Sequence, residues 1–242
     1  MPRYKLTIEY DGTSFSGWQI QPDARTAEEE IEKAMSQILQ APIDIIGQGR
    51  TDAGVHAKRQ VAHVDLPDTI NSEKFLFGVN GLVGEGIHIH QIEKVNSEFH
   101  ARFDAISREY EYVLLKTPSP LKHRTTWWPG RNVDFKKMNE CVQLLKGEFD
   151  FSGFSKFNEE NYTTLCTILN AELVEEEEEV IFRIQANRFL RNMVRRLVGT
   201  LVEVGKGKLS REDFKEKLEN PEANVTTKTA PAKGLVLSNV FY

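Results

Sequence analysis

The sequence predicts an α+β protein made of two halves, each with the β-α-β-β-α-β element order of a ferredoxin-like unit. Two observations favour this class. Short runs of alternating polar and apolar residues are typical of half-buried strands, and longer segments with apolar residues every three or four positions are typical of helices. The two kinds of segment occur twice in the same order along the 242 residues. We therefore expect two domains, 1-105 and 106-242, with helices packed on a sheet and an active-site cleft where the halves meet.

The first half is predicted from its alternation and from its helix caps. Residues 4–10 alternate between apolar and polar side chains, and the pair Thr26 and Glu29 forms a T-x-x-E capping box that starts a helix. The predicted elements are a strand over 4–10, a helix from Thr26, strand-like residues over 43–46, a strand over 60–66, a helix from Asn71 or Ser72 to Val79, and a strand over 87–95.

The second half repeats this order. Its predicted elements are a strand over 106–116, a helix from Asp134, strands over 162–174 and 180–186, a helix over about 189–204, a short helix capped by Ser210, and a strand over 235–241. Glutamates at 172 and 175–179 lie around the turn between the paired strands. We interpret this acidic run as a solvated hairpin tip.

Composition excludes several classes of protein. The net charge is −5, but six of the acidic residues belong to the glutamate run, so the rest of the chain is close to neutral and can carry a basic surface for nucleic acid. Cys141 and Cys166 provide neither a disulfide framework nor zinc-site spacing. No apolar run has the length of a membrane span, and the first residues lack a signal-peptide pattern. We expect a cytoplasmic protein with no membrane association.

The most informative stretch is Gly49-Arg50-Thr51-Asp52-Ala53-Gly54-Val55-His56-Ala57, a charged turn between two apolar segments. Glycines at 47, 49 and 54 allow the backbone to turn sharply and to approach a ligand closely. From composition alone, a surface turn in which Arg50 pairs with Asp52 is a reasonable interpretation. The string R-T-D-A-G-V-H-A, however, resembles the signature of the tRNA pseudouridine synthases of the TruA type, in which it carries the catalytic aspartate. The resemblance assigns that role to Asp52.

Two further motifs resemble the same family. Arg108-Glu109-Tyr110-Glu111-Tyr112 is similar to its R-x-Y-x-Y strand, whose first tyrosine lies against the target uracil, which implies that role for Tyr110. Residues 189–195 are similar to its F-x-x-x-M-V-R helix, whose arginine pairs with the catalytic aspartate, which implies that Arg195 orients Asp52.

The late segment 230–235 is similar to the family's A-x-A-x-G-L, in which an apolar side chain packs the base from the other side, a role that the resemblance gives to Leu235. By the same resemblance, Arg50 holds the target nucleotide out of the helix. Residues 99–103 also look like a family element. The resemblance implies a pseudouridine-synthase-type sheet, with the catalytic loop in the N-terminal half and the tyrosine strand and arginine helix in the C-terminal half.

The activity that this resemblance implies is conversion of uridine to pseudouridine at positions 38, 39 and 40 of the tRNA anticodon arm, by a homodimer. The reaction breaks the C–N bond between base and ribose and rejoins the same base through carbon, so no cofactor is chemically required. It needs one well-placed carboxylate as nucleophile or base. Whether Asp52 attacks the ribose, adds to the ring or removes a ribose proton stays open.

The helix periodicity makes a separate prediction about arginines. At about 100° per residue, the apolar side chains between 190 and 201 form one stripe. Arg188, Arg191 and Arg195 then lie along one flank of it, with Arg195 at the border of core and solvent. We expect Arg188 and Arg191 to contact phosphates.

Three alternative functions are compatible with parts of the sequence. His88 and His90 alternate on one strand face, as metal ligands can, but no cysteine or second acidic cluster completes a ligand set, so we expect no metal. A non-catalytic RNA-binding module would carry the stacking aromatics of an RNA-recognition strand, which the sequence lacks. A related synthase with different target uridines fits the same motifs.

Overall fold

The computed structural model describes residues 1–159 and 161–242. The chain divides into two compact units: the first is Met1–Ile106 together with Val236–Tyr242, and the second is Ser107–Leu235. Both units mix strands and helices, which confirms the α+β class. The division into 1-105 and 106-242, each with a ferredoxin-like order, stays a prediction, and the compact units differ from it by including the end of the chain in the first unit.

The first unit is a sheet centred on its first strand. It contains β1 (Arg3–Tyr10), α1 (Ala27–Leu39), β2 (Ile46–Gly47), β3 (His56–Asp65), α2 (Ser72–Leu82), β4 (Ile87–Val95) and most of β9 (Leu235–Phe241). Strand β1 pairs antiparallel with β3 on one edge and with β4 on the other. On its other edge, the C-terminal part of β3 pairs with β2. The first two residues of β3 pair in parallel with β9. The start of β3 is therefore held from both sides.

The structure contains the elements that local signals in the sequence predict. Burial alternates along β1, with Leu6 and Ile8 fully buried. The Thr26 side chain accepts a hydrogen bond from the backbone N–H of Glu29 and so caps α1. The side chain of Asn71 caps α2 in the same way.

In the described residues, the second unit is an antiparallel sheet in the order β5-β8-β7-β6, with three α-helices. Its elements are β5 (Ser107–Leu115), α3 (Phe135–Val142), β6 (Gly147–Asp150), β7 (Leu165–Glu175), β8 (Glu179–Ala186), α4 (Met193–Gly205) and α5 (Arg211–Glu219). Strand β6 was not predicted, because four residues are too few to establish an alternating pattern. The acidic tip is not simply solvated, since the Lys122 ammonium lies 2.8 Å from both the Glu178 and Glu179 carboxylates.

The predicted start of the arginine helix was wrong. Helix α4 begins at Met193 rather than near 189, because Asn192 adopts a left-handed conformation with φ of 61°. Asparagine tolerates this conformation better than most residues. Arg188 and Arg191 therefore lie in the segment between β8 and α4, and the argument that placed them on a helical flank does not hold. No helix in the described part of the chain is both long and apolar enough to cross a membrane.

Candidate active site

The R-T-D-A-G-V-H-A stretch forms the end of the loop between β2 and β3 in the first unit, and its last two residues, His56 and Ala57, begin β3. Arg50 is exposed, Thr51 is buried and Asp52 is half-buried. The loop closes in a turn in which the N–H of Val55 donates to the Asp52 carbonyl at 3.1 Å. Before the turn, the Gln60 side chain of β3 donates to the Gly49 carbonyl at 3.1 Å. The backbone that carries Asp52 is therefore tied to the adjacent strand at its entrance.

A second segment, residues 11–18, holds the loop on both sides of Asp52. The backbone N–H of Trp18 donates to the Thr51 carbonyl at 3.3 Å, and the N–H of Gly54 donates to the Phe15 carbonyl at 3.2 Å. The hydroxyl of Tyr10 also lies 2.8 Å from the Thr51 hydroxyl, in a buried hydrogen bond. We call segment 11–18 together with Tyr10 the clamp. It holds the residues before and after Asp52 through their backbone and through the Thr51 hydroxyl.

The clamp approaches so closely that two of its positions require glycine. A Cβ at Gly17 would collide with the Thr51 carbonyl oxygen, and Gly17 has a φ of 98°, which side-chain-bearing residues rarely adopt. A Cβ at Gly12 would collide with the Val55 carbonyl oxygen. Both collisions are with backbone, which cannot rotate away. The sequence carries no local signal for these contacts, because the residues that touch are about 40 positions apart.

Two polar side chains support the clamp from behind. The N–H of Gly12 donates to Nδ1 of the buried His56 ring at 3.0 Å, and the same ring nitrogen lies 3.1 Å from the Asp11 carboxylate. The Trp18 indole N–H and the Ile20 backbone N–H both donate to the Glu28 carboxylate, at 3.0 Å and 2.9 Å. Burial raises the pKa of Glu28 above its ordinary value, although the two donated hydrogen bonds act in the opposite direction. The D-G-T turn at 11–13 is the sequence signal that could have identified this support.

In the second unit, Tyr110 lies on β5 opposite Ile184 of β8 and is half-buried. Its ring meets the Phe189 ring edge to face, with centroids 5.1 Å apart. Such an arrangement favours one orientation of the tyrosine ring. Tyr112, two residues further on, is fully buried, and its hydroxyl donates to the Pro231 carbonyl at 2.8 Å. Burial raises the pKa of Tyr112 above its ordinary value, so this hydroxyl stays protonated and acts as a donor.

Arg195 lies in the first turns of α4 and is joined to the late segment 230–235. Its Nε donates to the Ala230 carbonyl at 2.8 Å, and the Ala230 N–H donates to the Arg195 carbonyl at 2.9 Å. Gly234 packs against the Tyr112 ring so closely that a Cβ would lie 2.6 Å from a ring carbon. Leu235 follows at the start of β9 and is 6% exposed. Segment 230–235 thus contacts Arg195 on α4 and Tyr112 on β5, and it ends at Leu235.

The predicted site residues fall into two groups. Arg50 and Asp52 share one loop of the first unit, whereas Tyr110, Arg195 and Leu235 belong to the second. The rings of His88 and His90 lie 4.8 Å apart, and His90 Nε2 lies 2.7 Å from the Glu9 carboxylate. Among the described residues, no three His, Cys, Asp or Glu side chains are grouped so that they could hold a metal ion.

Comparison with known proteins supplies the family. The family model described as tRNA pseudouridine synthase matches residues 6–104 and 141–242. Proteins named tRNA pseudouridine synthase A are similar over nearly the full length: that of Bacteroides fragilis is 40% identical over 99% of this chain and 96% of its own, and that of Porphyromonas gingivalis is 41% identical over 100% and 98%. That of Chlorobaculum tepidum is 42% identical over 98% and 97%.

Among solved structures, a Cbf5-Nop10-Gar1 complex aligns with 96% of this chain and 57% of its own at 11% identity, with a TM-score of 0.38, too low to support an inference. The sequence comparisons do not depend on it. The family model covers both the loop that carries Asp52 and the helix that carries Arg195, and the relatives align from end to end. The chain therefore belongs to the tRNA pseudouridine synthase family.

Proposed function

We propose that this protein converts uridine to pseudouridine in tRNA, at positions 38, 39 and 40 of the anticodon arm. The observation that carries the proposal is the R-T-D-A-G-V-H-A loop in a chain that aligns over its full length with proteins named tRNA pseudouridine synthase A. The geometry of the loop supports it, because the residues on both sides of Asp52 are held by hydrogen bonds that leave the carboxylate half-buried.

In this proposal Asp52 is the catalytic carboxylate. The C–N bond between base and ribose breaks, the base rejoins the ribose through C5, and C5 loses a proton while N1 gains one, so the composition of the nucleotide does not change. Asp52 acts as a nucleophile on the ribose, as a nucleophile on the ring, or as the base that removes a ribose proton. All three need a carboxylate held at a fixed position, because misplacement by about 1 Å can cost about 100-fold in rate.

The other predicted residues bind the substrate or orient Asp52. We propose that Arg195 directs the Asp52 carboxylate by a charge-assisted contact. Tyr110 lies against the target uracil, and Leu235 packs the base from the other side. The exposed Arg50 holds the target nucleotide out of the helix. The edge contact between Tyr110 and Phe189 and the paired hydrogen bonds between Arg195 and Ala230 favour fixed positions for the two residues.

Single-turnover conversion of a tRNA transcript, with pseudouridines mapped by position, tests the activity. Asp52→Asn keeps the shape and removes the charge, so it should bind tRNA and form no pseudouridine. The matched control is Asp68→Asn, the same chemical change at a surface carboxylate paired with Lys94, which should react like the wild type. Measurable product from Asp52→Asn would refute the assignment. Modification at uridines other than 38, 39 and 40 would identify a related synthase with another target.

We also propose that the protein acts as a homodimer in the cytoplasm. Light scattering on the purified protein should give twice the mass of one chain, and a monomer that modifies tRNA at full rate would contradict the dimer.

Fluorescence microscopy of a tagged chain should place it in the cytoplasm, and accumulation at the membrane would contradict that location. A wild-type protein that binds tRNA but converts no uridine would favour the binding module instead.

A further inference from the structure

Two exposed aromatic side chains stand on the loop that precedes β7. Phe157 is 82% exposed and Tyr162 is 91% exposed. Exposed aromatic rings expose apolar surface to water, and on loops they often serve recognition. The loop is anchored, since Arg196 donates to the Ser155 carbonyl at 2.7 Å and the Lys156 N–H donates to the Arg191 carbonyl at 2.9 Å. Its base is therefore fixed to the segment between β8 and α4.

That segment and the first turn of α4 are together strongly basic. Residues 187–196 contain four arginines and no acidic residue, whereas the loop contributes Lys156 against Glu159 and Glu160 in sequence. The Arg188 guanidinium lies over the Tyr162 ring, with 5.2 Å from its central carbon to the ring centroid. Its Nη2 also donates to the Asn161 side chain at 3.5 Å, near the limit for a hydrogen bond. A cation thus lies on one side of the tyrosine ring, and most of the ring surface is in solvent.

Arg188 has an unused donor. Its Nη1 is buried, and no residue in the described part of the chain accepts a hydrogen bond from it. A buried donor without an acceptor is unfavourable, so a ligand that draws the guanidinium onto an anionic oxygen stabilises this side chain. Arg188 is adjacent in sequence to Phe189, whose ring packs on Tyr110. An anion at Arg188 would therefore be bound one residue away in sequence from the ring that packs on Tyr110.

We infer that Tyr162 and Arg188 form a binding site for an unstacked nucleotide of the substrate RNA. The base stacks on the open face of Tyr162, and the adjoining phosphate accepts hydrogen bonds from the Arg188 guanidinium. This combination of an aromatic face and a cation is how proteins bind single-stranded nucleic acid. The inference rests on the proposed function, because extruding a target uridine unstacks its neighbours and makes such a nucleotide available.

Equilibrium binding of tRNA over a range of salt concentrations tests the site. Tyr162→Ala should weaken binding by about 5- to 150-fold, the range for losing one stacked base, with the salt dependence unchanged. Tyr162→Phe keeps the ring and should bind like the wild type. Arg188→Gln should lower the slope of log K against log salt by roughly 0.7 to 0.9, because one phosphate contact is lost.

Two matched controls separate this site from a general loss of surface aromatics or charge. Phe77 on α2 is 84% exposed, and Arg211 on α5 is exposed, so Phe77→Ala and Arg211→Gln should bind tRNA like the wild type. A blunt RNA duplex with no unpaired nucleotide should bind Tyr162→Ala and the wild type equally. Tyr162 is so exposed that thermal unfolding should not change.

The inference is overturned if Tyr162→Ala binds tRNA as tightly as the wild type, or if it loses affinity equally for the blunt duplex. Because binding requires no turnover, the two proposals fail separately. A wild-type protein that binds tRNA through Tyr162 but forms no pseudouridine would overturn the activity and support the site. A wild-type protein that forms pseudouridine while Tyr162→Ala binds normally would do the reverse.

Discussion

The hydrogen bond between Tyr10 and Thr51 offers the sharpest test of the clamp, because Tyr10→Phe removes one buried oxygen. The two hydroxyls are 2.8 Å apart, and the side chains are 2% and 9% exposed. The phenylalanine ring should keep the contacts of the tyrosine ring with Phe15 and Trp18, whose centroids lie 6.4 Å and 6.0 Å away. What changes is that the Thr51 hydroxyl loses this partner in a buried position.

The expected cost follows from that geometry. Leaving a buried hydroxyl without this partner costs about 1 to 3 kcal/mol of unfolding free energy, a noticeable part of the roughly 5 to 15 kcal/mol that a typical protein has. Since Thr51 precedes Asp52, a looser Thr51 also lets the carboxylate leave its productive position. We expect the single-turnover rate to fall by about 10- to 100-fold. Affinity for tRNA should change little, because no phosphate contact is removed.

Urea unfolding, tRNA binding and single-turnover conversion measure the three quantities. Tyr4→Phe is the matched control, since Tyr4 is also buried on β1 and its substitution should leave the rate unchanged. Thr51→Ser keeps a hydroxyl and should retain most of the rate, while Thr51→Val should resemble Tyr10→Phe. In the double variant Tyr10→Phe/Thr51→Val, the losses of stability and rate should not add, because both substitutions remove the same hydrogen bond. A Tyr10→Phe protein with wild-type stability and rate would refute the clamp.

Three further outcomes are expected. Arg195→Met should slow the single-turnover rate by about 30- to 900-fold, equivalent to about 2 to 4 kcal/mol of transition-state stabilisation, with little change in tRNA affinity, while Arg211→Met should not; a changed affinity at a normal rate would contradict the orienting role. Burial and the Asp44 charge raise the pKa of Glu32 from 4.5 to about 7, so its contribution to stability is most favourable below pH 4.5 and is lost as the pH rises through about 7. Glu32→Gln should therefore stabilise the protein by about 1 to 2 kcal/mol near pH 8 and by little near pH 4.5, as measured by urea unfolding; equal effects at both pH values would contradict this. Purified protein in EDTA should still convert tRNA, and a strict requirement for a divalent ion at constant ionic strength would count against a metal-free reaction.

Elements whose signals are local were predictable from the sequence. Strand β1 and the caps of α1 and α2 depend on neighbours within four residues, and the sequence specifies all of those neighbours. The start of α4 was missed because the apolar spacing continues backwards through Leu190, which is buried although it lies outside the helix. The spacing of apolar residues indicates which side chains face the core. A residue in a turn before the helix can also be buried at that spacing, and it then resembles part of the helix. The left-handed Asn192 decided the boundary.

The sequence indicates candidate site residues but not the contacts that support them. Asp52 and Arg50 are predicted because both belong to one contiguous motif, and their roles stay predictions. The clamp consists of contacts between residues about 40 positions apart, such as Tyr10 with Thr51, for which neither partner carries a local signal. Gly17 is required by the close approach of the Thr51 carbonyl oxygen, a contact that exists only in the folded chain.

The loop around Asp52 has no hydrophobic period, although Thr51 and Val55 in it are buried, so its conformation depends on contacts with other parts of the chain. Three kinds of constraint hold it: hydrogen bonds from β3 and from the clamp, the steric requirement for glycine at 12 and 17, and the buried ring of His56 at the end of the loop. Each acts on backbone or on Thr51. A reaction that depends on one carboxylate benefits from such support, because a carboxylate on a fixed backbone keeps its position when substrate binds.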